Sequence, residues 1–289
     1  MRVLYITRLI LAASAWLLPQ DGSTSKIGNH GAFKPHQGLQ RGVGSAGWWL
    51  AGLLLIVAPS AHGQPLTVAV ASNFIAPLEV IAQRFTAASG HAVDIVSAST
   101  GKLYAQIIHG APYDVFLAAD AASAQLLESR GLAREGSRAT YAIGRLALWT
   151  PNAQENTPVL DLLKVGKFSH LAIANPRHAP YGRAARQVLQ KMQLWEELSA
   201  RTVRGENIAQ TYQFVESGHA ELGFVARSQL VARPSDTAGD HWDVPESFHD
   251  PVWQQLVVLT DAPGSEKFAD FMQSNAVRDI IQQHGYGLP

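Results

Sequence analysis

The sequence predicts an α/β fold in two lobes, each a mostly parallel sheet flanked by helices, with two crossovers joining them. Three observations predict it. From Leu66 onward, short apolar runs alternate with segments of helical period, the order that builds largely parallel sheets. The alternation fills a first unit, meets a long apolar run from Tyr141 to Trp149 that ends at Pro151, and restarts as a second unit. One late strand-like run, Gln255 to Thr260, then reads as a return strand ahead of two closing helices.

In the first unit, Leu66 to Ala71 reads as a buried strand. Leu78, Ile81, Ala82 and Phe85 follow at i, i+3, i+4 and i+7, one apolar face of a helix. Strand Ala92–Val96, a helix from Leu103, strand Asp114–Ala118 and a helix over Ala121–Arg130 complete it. In the second unit, strand Leu171–Ala174 leads to a helix with Ala185, Val188, Leu189 and Met192 on one face. Strand Arg201–Arg204 precedes a helix marked by Ile208, Thr211, Tyr212 and Val215, and strand Leu222–Ala226 follows. Pro234 to Pro251 is rich in Pro, Asp and Gly and reads as loop with one short strand at His241–Val244. Helices around Phe268–Met272 and Val277–Ile281 end the chain. The crossovers are expected near Gly144–Leu148 and Val252–Leu256, giving one lobe from 64–145 and 254–289 and another from 146–253.

Composition narrows the function. Apolar residues make up 47% of the 289 and charged residues 16%, which supports a sizeable core. Lys plus Arg and Asp plus Glu both number 23, so no net field recruits nucleic acid or an anionic membrane. The absence of cysteine excludes disulfides, zinc–thiolate sites, cysteine nucleophiles and a cysteine-linked lipid anchor. Near the N-terminus, Trp48 to Pro59 is an apolar core shorter than a membrane span, preceded by Lys34 and Arg41 and followed by Ala61-His62-Gly63. That pattern is a secretory signal. Residues 1–63 are therefore expected to be leader and signal, with export to the periplasm. The leader is long, and the next methionine after Met1 is Met192, so either the leader is unusual or translation starts at a non-standard codon. Gly42 to Gly47 matches G-x-G-x-x-G but opens the signal core rather than a βαβ unit, so it is no dinucleotide fingerprint.

In open α/β sheets, ligands bind beyond the carboxyl ends of strands, so the informative residues lie in strand-to-helix turns. Four stand out: Ser72-Asn73, Ser99-Thr100-Gly101, Ala179-Pro180-Tyr181-Gly182 and Glu206-Asn207-Ile208. Each places hydroxyl, amide or small residues at a helix start, where unpaired N–H groups and a partial positive charge attract anions. Taken singly, each is equally a helix cap; taken together, in two units, they make an oxyanion socket of neutral donors. Ser97 to Lys102 is not a nucleotide loop, because Val96 and Leu103 stand where Walker A requires glycine and a hydroxyl, and Lys102 reads as a solvated lysine.

Other chemistries have less support. The 11 histidines show no H-E-x-x-H, and no G-x-S-x-G elbow is present. Asp114 and Asp120 form a loose carboxylate pair of the kind that also caps helices. Arg177 and Arg183 could meet an amino-acid carboxylate, but no acid in the same turns would meet its ammonium group. Glu206 is the one acceptor available for the proton of a hydrogen phosphate. Donor-only turns favour fully deprotonated dianions such as sulfate, molybdate and tungstate.

At these residues the chain resembles the periplasmic molybdate-binding proteins of ABC transporters. The stretches are A-V-A-S-N-F (69–74), S-A-S-T-G-K-L-Y-A-Q-I (97–107), G-A-P-Y-D-V-F-L-A-A-D (110–120), Y-A-I-G-R-L-A-L-W (141–149), N-P-R-H-A-P-Y-G (175–182) and E-L-G-F-V-A (221–226). The resemblance runs in order over essentially all of 65–289. It implies a type II periplasmic-binding fold that closes on a tetrahedral oxyanion, a transport role rather than catalysis, no cofactor or metal cation, a membrane permease as partner, and a monomer. The ligand set it implies is Ser72, Asn73, Ser99, Thr100, Tyr181 and the backbone N–H of Ile208. Two departures stand out. Ala226 lies where some members have an anion-reaching tyrosine, with Tyr181 where those members have a small residue, and Thr100 replaces a common serine. Readings kept beside this one are a receptor of the same fold for sulfate or thiosulfate, and a cleft enzyme acting on an anion through Asp114, Asp120 or His178.

Overall fold

The structure is a computed structural model and describes residues 64–152, 157–234 and 239–289. The leader and signal expected over 1–63, with the Gly42–Gly47 motif, lie outside the described residues.

The chain begins with strand β1 (Leu66–Ala71), helix α1 (Ile75–Ser89), β2 (Val93–Ala98), α2 (Thr100–Ile108), β3 (Val115–Ala118) and α3 (Ala121–Ser129). Strands β4 (Ala139–Gly144) and β5 (Leu146–Thr150) follow, separated by Arg145 alone. The next elements are α4 (Val159–Val165), β6 (Leu171–Ala174), α5 (Pro180–Lys191), α6 (Trp195–Leu198), β7 (Thr202–Gly205), α7 (Ile208–Glu216), β8 (Leu222–Ala226), α8 (Arg227–Val231) and β9 (Asp240–Asp243). Strand β10 (Val252–Val258) and helices α9 (Ser265–Met272) and α10 (Asn275–Gln283) end the chain.

Two five-stranded sheets result, in the orders β2-β1-β3-β10-β4 and β7-β6-β8-β5-β9. In the first, β1 pairs in parallel with β2 and β3, while β10 runs antiparallel to β3 and β4. The second repeats this with β6, β7 and β8 parallel and β5 antiparallel to β8 and β9. Each sheet thus has four strands in one sense and one reversed. The reversed strand is in each case the one delivered from the other sheet, β5 directly after β4 and β10 after β9. The two units share a topology although their sequences show no repeat.

Both faces of each sheet are covered, so the central strands are continuously apolar rather than alternating; every residue of β3, β5, β6 and β8 is buried. In the first sheet, Val68, Val70 and Phe74 join Leu78, Ile81, Phe85 and Phe268 on one side, and Ala69 and Phe116 join Leu103 and Leu127 on the other. In the second, Ile173 and Phe224 pack on Ala185, Val188 and Leu189.

The apolar run Tyr141–Trp149 is two strands in two sheets, the chain changing sheet at Arg145 within the expected crossover Gly144–Leu148. Two details differ from the sequence reading. The second crossing precedes Val252, since β10 belongs whole to the first sheet, two residues earlier than the boundary expected at 254. Helices α4, α6 and α8 have only 7, 4 and 5 residues, too short for a helical period to stand out.

Candidate functional site

Register places the site. Leu66↔Val93 through Ala71↔Ala98 align the ends of β1 and β2, so Ser72 and Ser99 emerge side by side. Leu171↔Thr202 through Ala174↔Gly205 do the same for β6 and β7, so Asn175 and Glu206 open the matching turns of the second sheet. These turns occupy equivalent positions in the two units. They are also brought into contact: α7 packs on the Ser72–Phe74 turn, and the Gly101 N–H donates to the His178 carbonyl at 2.9 Å. All six residues expected at the site are buried, from Thr100 at 0% exposed to Ser72 at 7%.

The cap reading and the donor reading separate here. Asn207 is a true cap of α7, its side chain accepting from the Gln210 N–H at 2.9 Å. Ser99 occupies the cap position of α2 but makes no capping bond, so its hydroxyl is not consumed by the helix. The Thr100 hydroxyl accepts from the Ala119 N–H at 3.0 Å, which leaves its proton to donate. Within α5 the intrahelical bonds begin with Gly182 and Arg183 donating to the Ala179 carbonyl, and Pro180 at the first position has no N–H to satisfy. Ile208 opens α7, where the first N–H groups lack intrahelical partners.

Asn73 is tied into a buried framework. Its side-chain amide donates to Gln254 Oε1 at 2.8 Å and to the Tyr286 hydroxyl at 3.0 Å, and its carbonyl accepts from Tyr286 at 2.5 Å and Ser228 at 3.1 Å. Both amide protons are committed to this framework, so what Asn73 retains for a ligand is its main-chain N–H.

Tyr181 lies against the same framework. Its hydroxyl is buried without a hydrogen-bond partner among the described residues, as is that of Tyr141. Burial, then the nearby Tyr286 and Tyr141, push the Tyr181 phenol well above its ordinary value, and Tyr286 and Asn73 come close without satisfying it. The phenol fits because residue 144 is glycine: a β-carbon there would collide with the Tyr181 hydroxyl and lie 2.8 Å from Gln254 Nε2. An unpartnered buried hydroxyl destabilises by about 1–3 kcal/mol, so this phenol keeps an unused donor among the described residues.

Sequence reasoning missed Gln254, Tyr286, Ser228 and Gly144. Gln254 carried a signal, as a polar residue inside the apolar V-W-Q-Q-L-V-V run that is 0% exposed. Tyr286 follows the last helix with no pattern around it.

The nearby charges are committed elsewhere. Asp114 accepts from the Thr67 N–H at 2.8 Å and from Thr260 at 2.6 Å. Asp120 caps α3 through Ser123 and pairs with Arg183. Glu206, considered as a proton acceptor, pairs instead with Lys102 at 3.3 Å, with side chains 65% and 50% exposed. Lys102 is half-exposed, with Glu206 as its partner. Among the described residues, no cluster of His, Asp and Glu could hold a metal ion, and no helix is long and apolar enough to cross a membrane.

Two sheets of one topology, linked by two crossings and presenting matched donor turns to each other, are the architecture of a solute-binding protein. The chain belongs to the bacterial extracellular solute-binding protein family, whose model matches residues 66–287. It is 44% identical over 241 residues to a molybdate-binding protein of Azotobacter vinelandii, covering 82% of this chain and 94% of that one. A molybdate-binding protein of Rhodobacter capsulatus is 36% identical over 240 residues, covering 82% and 93%. The solved structure of the Azotobacter vinelandii periplasmic molybdate-binding protein superimposes with a TM-score of 0.74 at 39% identity, covering 78% of this chain and 99% of that one.

Proposed function

We propose that this protein captures molybdate, or the isosteric tungstate, in the periplasm and delivers it as a monomer to the membrane permease of an ABC importer. The anion sits between the lobes on neutral donors: the hydroxyls of Ser72, Ser99, Thr100 and Tyr181 and the main-chain N–H groups of Asn73 and Ile208. The moving bodies are the two sheets with their helices, hinged at Arg145 and in the segment before Val252.

One observation carries the reading: the Tyr181 hydroxyl is fully buried with no hydrogen-bond partner among the described residues. A tetrahedral oxyanion supplies the missing acceptor. Helix-start N–H groups and hydroxyls stabilise a dianion without a formal cation, so binding does not leave a desolvated ion pair to be broken at release. Glu206 turned toward Lys102 supports the same choice, because a hydrogen phosphate would need an acceptor for its proton. The molybdate-binding relatives in Azotobacter and Rhodobacter support the choice of anion.

Thermal-shift titration with molybdate, tungstate, sulfate, thiosulfate and phosphate tests it. Molybdate and tungstate should raise the melting temperature, by an amount equivalent to about 2.7 kcal/mol at 100 times Kd. Stabilisation by sulfate or thiosulfate instead would make this a receptor for those anions, and no stabilisation by any of them would refute the oxyanion reading.

A further inference from the structure

We propose that Asp120 and Arg183 are positioning residues for the bound anion. Their ion pair, with the Gly101–His178 hydrogen bond beside it, latches the lobes together and sets how slowly the ligand leaves.

The pair bridges the two halves of the molecule. Asp120 follows β3 of the first sheet, while Arg183 lies in the first turn of α5 on the second. Asp120 is held ready for this contact. Its Oδ1 accepts from the Ser123 N–H at 2.8 Å, capping α3, while Oδ2 takes Arg183. The carboxylate side chain is 17% exposed and the arginine 44%, so the contact is partly sheltered from solvent. A second bridging pair among the described residues, Lys102–Glu206, is 50% and 65% exposed at 3.3 Å, where screening leaves little net attraction.

The pair is wired into the site on both sides. Asp120 is preceded by Ala119, whose N–H donates to the Thr100 hydroxyl at 3.0 Å. Arg183 is two residues past Tyr181 in the same helical turn. Breaking the pair therefore loosens the two segments that carry donors from opposite lobes. Gly101, next to Thr100, permits the approach. A β-carbon there would lie 3.0 Å from the His178 carbonyl oxygen and 3.1 Å from its Cα, backbone atoms that cannot swing aside, so any larger residue holds this seam apart.

The inference rests on the reading that the lobes open and close, and its test separates the two. The chain has no cysteine, so Ala122→Cys on α3 and Gln190→Cys on α5, exposed positions on helices of opposite lobes, accept a pair of spin labels. Distance distributions are measured by pulsed electron resonance in the ligand-free and molybdate-loaded full-length protein. Release of radiolabelled molybdate into excess unlabelled molybdate is followed in parallel at low and high salt. Asp120→Asn keeps the helix cap and removes the charge; Arg183→Gln removes its partner; Gly101→Ala wedges the seam.

Asp120→Asn and Arg183→Gln should each shift the labels toward longer distances and speed release about two- to fivefold, the range of partly exposed ion pairs. The double variant should add nothing to either alone. Wild-type release should accelerate with salt and the variants' release should not. Gly101→Ala should lengthen the label distance at every salt concentration. Unchanged distances and unchanged release in both charge variants would overturn the latch. A wild type that fails to bind molybdate would refute the proposed cargo, and the latch would then be decided on the label distances alone.

Discussion

Tyr181 and Gly144 show how one contact fixes the chemistry of the site. The phenol is held in a slot that only glycine leaves open, and it ends in a hydroxyl without a partner among the described residues. Replacing Tyr181 by Phe removes no hydrogen bond from the ligand-free protein, so its stability in urea should be unchanged or slightly raised. Molybdate affinity by calorimetry should fall tenfold or more, since a hydrogen bond to a charged acceptor is worth about 1.5–3 kcal/mol. Unchanged affinity would assign the contact to the Tyr181 N–H. Gly144→Ala drives a methyl into that hydroxyl and should destabilise by about 1–3 kcal/mol, the range for overpacking, measured by the urea midpoint. The tyrosine was legible in the A-P-Y-G stretch. The glycine was not, because what demands it is a side chain distant in sequence that arrives only when the sheets come together.

At the scale of elements, two helix starts that look alike in sequence behave differently. Asn207 caps α7, whereas Ser99 at the same place on α2 does not cap. Asn207→Ala should therefore lower unfolding free energy by about 1 kcal/mol, while Ser99→Ala should leave stability nearly unchanged and weaken molybdate binding. Equal stability losses for the two would contradict the distinction.

A second element-scale prediction concerns the turn before β6. Burial raises the Glu221 carboxyl, but the backbone N–H groups of Ser169 and His170, each at 2.9 Å, outweigh it, so its pKa lies below the usual carboxylate value. A carboxyl depressed in the folded state adds stability above its unfolded pKa and loses it as pH falls through the folded pKa. Glu221→Gln should thus cost stability at neutral pH and flatten the acid limb of a pH–stability curve. A curve parallel to wild type would contradict the assignment.

Helical period and apolar runs made the long elements legible. Leu78, Ile81, Ala82 and Phe85 all lie on the buried face of α1, and Leu171–Ala174 and Leu222–Ala226 are strands with the expected ends. Short helices such as α8 carry no period to read. Strand β2 runs on to Ala98 because β1 pairs with it there, a fact of register rather than local composition.

The whole molecule is one topology used twice, each sheet completed by a reversed strand from the other half of the chain. That exchange places donor turns of the same kind on both sides of a cleft and leaves two thin connections for movement. The paired organisation was visible in the sequence as two alternating units and a return strand. The framework of Asn73, Gln254, Ser228 and Tyr286 beneath the cleft was not, since it joins four separate segments through buried side chains.

The central claim is that neutral donors from both lobes hold a tetrahedral dianion. Anomalous diffraction at the molybdenum edge on crystals grown with molybdate tests it most directly. The account predicts one strong peak between the lobes, its oxygens within about 3 Å of the Ser72, Ser99, Thr100 and Tyr181 hydroxyls and the N–H groups of Asn73 and Ile208. A peak coordinated by arginine or lysine side chains, or one lying outside the cleft, would contradict it.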